Sequence, residues 1–148
     1  MKKVILIFGI GIAIISSIYY LYMTYSAEQR VVRRENRQFE QFMGRENISG
    51  NQMATIMNKA MDRNNRNNVE IDRNGMVVEN NTNSIRIQIR MTDIDETFNM
   101  ESFYNNNNMV QFRELFSTQT FRGVEIQYHE ATNRVRYMLF EQIESATQ

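Results

Sequence analysis

The chain has 148 residues, with 17 Lys plus Arg against 17 Asp plus Glu, so its formal net charge is zero and no overall field steers it toward nucleic acid. There is no Cys, which excludes disulfides, thiolate metal sites and cysteine nucleophiles, and only one His, His129, which argues against a zinc site or a histidine-based catalytic constellation. The length suits one modest core in addition to any membrane segment, and no second full domain fits.

From Val4 to Met23 the chain reads VILIFGIGIAIISSIYYLYM, 20 residues without a charge. At 1.5 Å rise per residue these span a hydrocarbon core of roughly 30 Å. Val4, Ile5, Leu6, Ile7, Phe8, Ile10, Ile12, Ile14, Ile15, Ile18, Tyr19 and Leu21 are the expected lipid-facing anchor. Ser16 and Ser17 can bond back to helix carbonyls, and Tyr19, Tyr20, Tyr22 and Tyr25 gather at the end where an amphipathic ring suits the headgroup boundary. The rival is a cleaved secretory signal. Met1-Lys2-Lys3 supplies its basic start, but the apolar run is long for one and Thr24-Tyr25-Ser26 is a poor cleavage site. Gly9 and Gly11 are not a GxxxG pair and give no reason to propose helix dimerisation. Lys2 and Lys3 favour a cytoplasmic N-terminus, whereas Arg30, Arg33, Arg34 and Arg37 favour the reverse. The expectation is a single-pass protein of the cell membrane with its head extracytoplasmic, because Lys beside an uncleaved anchor holds the short end inside.

Ala27 to Met43 lacks Gly and Pro and is rich in Glu, Gln and Arg, which predicts a stalk helix continuing the anchor. Val32, Phe39 and Met43 line an apolar face that packs either on the chain's own head or on a neighbouring copy. Gly44 marks a stop, and Ser49-Gly50-Asn51-Gln52 has the spacing of a capping box. The helix it opens carries Met53, Ile56, Met57, Ala60 and Met61 on one stripe, a core face in preference to an adaptable binding groove.

Asn74-Gly75 between short apolar runs predicts a small hairpin within Val69 to Glu79. In Ser84 to Met91, Ile85, Ile87, Ile89 and Met91 alternate with Arg86, Gln88 and Arg90, the pattern of a half-solvated antiparallel strand. Asp93 to Asn99 reads as a connection. Met100 to Tyr104 and Met109 to Phe116 read as helical turns broken by Asn105 to Asn108, with Met109, Phe112 and Phe116 buried. A final hairpin alternates at Val124, Ile126 and Tyr128, turns at Ala131 to Asn133, and alternates again at Val135, Tyr137 and Leu139 before a charged tail from Glu141. Arg134 and Arg136 are expected to pair with Glu125 or Glu130 across it. The fold class is therefore α+β: anchor 1–25, stalk helix 26–43, and a head 44–148 in which a small antiparallel sheet packs on short helices.

No motif carries strong chemistry. Asp93, Asp95 and Glu96 lack the spacing of a calcium loop, and Asp72-Arg73-Asn74-Gly75 is already explained as a turn. His129-Glu130 has no nucleophile or phosphate loop beside it and reads as an exposed edge pair. Arg86, Arg90, Arg122, Arg134 and Arg136 are interleaved with acids, which favours cross-strand pairing over a polyanion site. The sequons at Asn47 and Asn80 weigh little in so Asn-rich a chain. Neither an enzyme nor a cofactor is expected, and the partners are a lipid bilayer and unidentified proteins, with self-association through the N-terminal helix as one option.

The basic tip, the apolar helix running into a stalk over Val4 to Met43, and the strand-rich Val69 to Phe140 together resemble bacterial type IV pilins and the pseudopilins of secretion systems. The segments around Ile48-Ser49-Gly50 and Tyr128-His129-Glu130 are also similar to small membrane-anchored, pilin-like proteins of Gram-positive bacteria. The pattern departs from prepilins in that Lys3 abuts Val4, Gly9 lies inside the apolar run and the first acid is Glu28. The resemblance implies an accessory subunit of a surface or secretion assembly, with a filament subunit and an extracytoplasmic sensor domain as alternatives.

Overall fold

The computed structural model describes residues 2–103 and 106–143. It begins with one uninterrupted helix, α1 (Lys2–Glu40). Two of its hydroxyls are satisfied internally: Ser17 Oγ donates to the Ala13 carbonyl at 2.8 Å and Thr24 Oγ1 to that of Tyr20 at 2.9 Å. Such back-bonding lets polar side chains sit in an apolar solvent. The helix stops at a turn in which Gly44 takes φ +71°, a left-handed conformation that costs glycine nothing. By contacts the chain divides into two compact units, Met1–Glu35 and Asn36–Gln148. The second unit takes in the last turn of α1, so the stalk helix expected over 26–43 belongs in part to the head.

The head continues with β1 (Ile48–Ser49) and α2 (Gly50–Arg66). Ser49 caps α2 with the predicted box: its hydroxyl accepts from the Gln52 amide at 3.3 Å, and the Gln52 side chain accepts from the Ser49 amide at 2.9 Å. Met53, Ile56, Met57, Ala60 and Met61 are all buried, as the stripe predicts. For the larger side chains among them burial contributes about 1.5–3 kcal/mol each. Then follow β2 (Arg86–Met91), β3 (Glu96–Asn99), a 3-10 turn over Met100–Phe103, α3 (Asn106–Phe116), β4 (Thr120–Tyr128) and β5 (Val135–Ile143).

The five strands form one sheet in the order β1-β4-β5-β2-β3. Ile87, Ile89 and Met91 of β2, Met138 and Phe140 of β5 and Phe121 of β4 meet Met53 to Met61 of α2 and Met109 and Phe112 of α3 in a single core. The opposite face carries Arg86, Gln88, Arg90, Arg122 and Glu141.

The sheet is mixed, which corrects the antiparallel expectation: β2 and β5 are parallel, with Ile87 opposite Met138 and Ile89 opposite Phe140. Each is half of a local antiparallel hairpin, β2 with β3 and β4 with β5. The crossover through the 3-10 turn and α3 sets how the two hairpins meet. The stretch from Asp93 to Asn99 is not a plain connection but the tight turn and second strand of the first hairpin, with Asp95 at φ +52°. The Asn74-Gly75 hairpin shrinks to an isolated bridge between Ile71 and Val77. Asp72 Oδ1 accepts from the amides of Asn74 and Met76, both at 2.8 Å, and Val77 is drawn into the core, so no longer ladder forms. β5 runs on through Glu141 to Ile143, where a charged tail was expected. The expectations for Tyr104 and Asn105 lie outside the described residues.

Candidate functional site

Ile7, Ile10, Ile12, Ile14, Ile15, Ile18, Tyr19 and Leu21 are each more than half exposed, and none of the most apolar stretch of α1 is buried by protein. The side chains of Val4, Ile5, Leu6 and Phe8 lie outside the described residues. By length and composition this helix is able to cross a membrane, and a signal sequence satisfies the same criteria.

The three residues expected on the stalk face are all placed. Phe39 is buried in the head core, Met43 packs against that core and Val32 is buried as well. The Arg63 guanidinium stands 5.9 Å from the Phe39 ring centre. Asn36, a position that no motif marks, is a clamp: its Nδ2 donates to the Asn133 carbonyl at 2.8 Å, and its Oδ1 accepts from the Val135 amide at 3.1 Å. The Tyr128 hydroxyl donates to Glu40 at 2.9 Å, and burial together with that carboxylate pushes the phenol up to about 12. The end of α1 is thus fastened to the β4–β5 hairpin.

Beside that hairpin turn lies a polar cavity of about 390 Å³, lined by Glu79, Asn80, Asn81, His129, Glu130, Ala131 and Arg136. His129 is not an exposed edge residue, as its place at a strand end implied. It is 3% exposed, and its Nε2 sits 2.7 Å from the Ser84 carbonyl oxygen. A carbonyl only accepts, so Nε2 carries the hydrogen and the neutral ring presents its lone pair at Nδ1. Burial is the largest cause holding this imidazole below its ordinary 6.5, and Arg136 and Arg63 push the same way against the Ser84 bond and Glu79. The opposite wall is a self-bonded loop. Asn80 Oδ1 accepts from the amides of Thr82, Asn83 and Ser84 at 3.0, 2.8 and 3.1 Å, and Thr132 Oγ1 ties Thr82 to the hairpin at 2.6 Å. The Asn80 amide of the second sequon is therefore engaged within the loop, while Asn47 of the first is exposed.

A second concavity, about 310 Å³ and largely apolar, lies between β3, the 3-10 turn and α3. Phe98, Phe103, Phe112 and Phe116 form a chain of ring contacts along it, with centres 5.8, 4.9 and 5.0 Å apart, and Leu115 at its rim is 69% exposed.

The remaining candidates resolve into structure. Asp93, Asp95 and Glu96 belong to the β2–β3 turn and the strand after it, and among the described residues no three His, Asp or Glu side chains gather to hold a metal. Arg122 and Arg90 both bond Glu141, at 2.9 and 3.3 Å, and Arg86 pairs with Glu79 at 3.1 Å. Arg136 donates to Gln127 and not to Glu125, because bulges in β4 set Glu125 opposite Leu139 and Gln127 opposite Tyr137. No family model, curated protein or solved structure matches the chain.

Proposed function

We propose that the chain is a non-enzymatic interaction module tethered by a single membrane span, an accessory subunit of a bacterial surface or secretion assembly whose head is extracytoplasmic. The observation that carries the tether is the uncovered apolar face of α1. Among the described residues, nine large side chains from Ile7 to Leu21 are more than half exposed to whatever surrounds the helix. In water that surface costs roughly 25 cal/mol per Å² relative to an apolar surrounding, and lipid removes the cost. The interaction role is supported by the Phe98 to Phe116 groove, apolar surface of the kind protein contacts use. The accessory-subunit reading is preferred to a filament because Phe39 and Met43 are already used in the head's own packing.

The test is fractionation of cells making the intact chain. The expected result is a product that stays in the pellet after alkaline carbonate washing, retains its N-terminal segment on sequencing and, from detergent, brings down defined partners that Leu115→Glu loses. A mature chain beginning after Ser26, or one released by carbonate, would overturn the tether. Purification without partners would remove the assembly role.

A further inference from the structure

The polar cavity beside the β4–β5 turn holds one carboxylate, Glu130, and one guanidinium, Arg136, that no ion pair joins to another described residue. Of its two carboxylates, Glu79 is paired with Arg86 at 3.1 Å, a guanidinium that also stands 4.0 Å from the buried Glu101, while no ion pair joins Glu130 to another described residue. The Arg136 guanidinium gives one N–H to the neutral Gln127 side chain and keeps its charge and its other donors. His129 adds an acceptor: with Nε2 committed to the Ser84 carbonyl, its Nδ1 lone pair has no partner among the described residues. Asn81 adds an amide that bonds no other described residue.

A ligand carrying only a cation or only an anion leaves one of the two protein charges unmatched, and an apolar ligand strips water from all of these groups without replacing it. A molecule with both charged groups on one carbon offers a partner to each of these groups. The walls are already built, since the Asn80 loop is closed on itself and tied to the turn through Thr132 and His129, so little ordering remains to be done on binding.

We propose that this cavity binds a small zwitterion of the amino-acid type, with its ammonium on Glu130 and His129 Nδ1 and its carboxylate on Arg136 and Asn81. The site goes beyond the tethered-module reading and does not depend on α1 crossing a bilayer. Its wall is the hairpin turn that Asn36 of α1 grips through Asn133 and Val135, so occupancy is placed where α1 enters the head.

His129 is the only histidine, so its ring C–H signals in an NMR spectrum need no further assignment. Full-length protein in detergent micelles is titrated with L-alanine, and separately with propionate and ethylamine, each of which keeps one charge of the same skeleton. L-alanine is expected to shift the His129 ring signals saturably, and the two half-ligands to do so at least about tenfold more weakly, the loss of one charge-assisted contact. Glu130→Gln, at an exposed position, and Arg136→Gln are each expected to weaken alanine binding by a similar factor while leaving the dispersed His129 signals of a folded head. Ring signals unmoved by alanine at about 10 mM, a millimolar ceiling for weak binding, would overturn the proposal. So would propionate or ethylamine matching alanine, or variants that bind as the parent does.

Discussion

Two glycines show how single atoms constrain the head. A Cβ placed on Gly50 would lie 1.8 Å from the Phe116 carbonyl oxygen, and one on Gly123 would lie 2.6 Å from that of Phe42. Neither obstacle is a side chain that could swing aside. Gly50 begins α2 where the chain leaves β1, and its amide donates to the Gln119 carbonyl at 3.1 Å, so a shift there also disturbs the approach to β4. Gly50→Ala is expected to destabilise the head by about 3 kcal/mol, the upper part of the range for forced overpacking, read as a lower midpoint in urea with little change in slope.

His129 sets an acid limit on stability. Its folded pKa lies below the 6.5 of the unfolded chain, so between the two values the unfolded chain holds more protons. Its contribution is therefore complete above about 6.5 and is lost as the pH falls through the folded value. The Glu141 carboxyl, held below its usual range chiefly by its bond from Arg122, adds a loss that begins only near 4.5. Urea midpoints are expected to fall between pH 7.5 and 5.5 in the parent. In His129→Gln, where an amide can still donate to Ser84, that fall is expected to disappear.

At the scale of elements, α1 is the case in which periodicity identified a face without identifying what covers it. The Val32, Phe39 and Met43 pattern favours packing on the same chain over packing on a neighbour without excluding the latter. Phe39 is in fact 2% exposed in the head core, beneath the Arg63 guanidinium. Phe39→Asp is expected to unfold the head, because it removes a large ring from the core and sets a carboxylate among apolar side chains, at a cost of several kcal/mol. Circular dichroism of the variant should show loss of the cooperative melt; a folded head that has lost only self-association would contradict this. The α2 stripe was unambiguous by comparison, since the capping box fixed the helix start and five apolar residues at helical spacing left one face to bury. β3 was missed because Glu96–Asn99 offers one apolar residue, Phe98, and takes its pairing from β2 and not from its own pattern.

For the whole molecule, the division at Glu35 and Asn36 separates a helix whose apolar stretch is uncovered from a head with its own core. Side chains that no protein atom buries contribute little to the stability of the rest. Deleting residues 1–25 is accordingly expected to leave the thermal midpoint of the head within a few degrees, on the scale where ~1 kcal/mol shifts a domain of this size by about 4–8 °C. It should also remove the need for detergent, which sedimentation of the shortened chain in buffer would check.

Local chemistry is what the amino-acid order decided unaided. It dictated the uncharged stretch able to cross a bilayer, the Ser49 cap, the buried faces of α2 and β2, and the Ala131 to Asn133 turn, because each depends on residues within a few positions of one another. Three-dimensional packing decided the rest. The parallel pairing of β2 with β5, the burial of His129 against Ser84, the grip of Asn36 on Asn133 and the placing of Glu79 and Arg136 around one cavity join residues tens of positions apart. Spacing along a chain carries no record of which distant backbone carbonyl or charge will stand beside a given side chain once the core has closed.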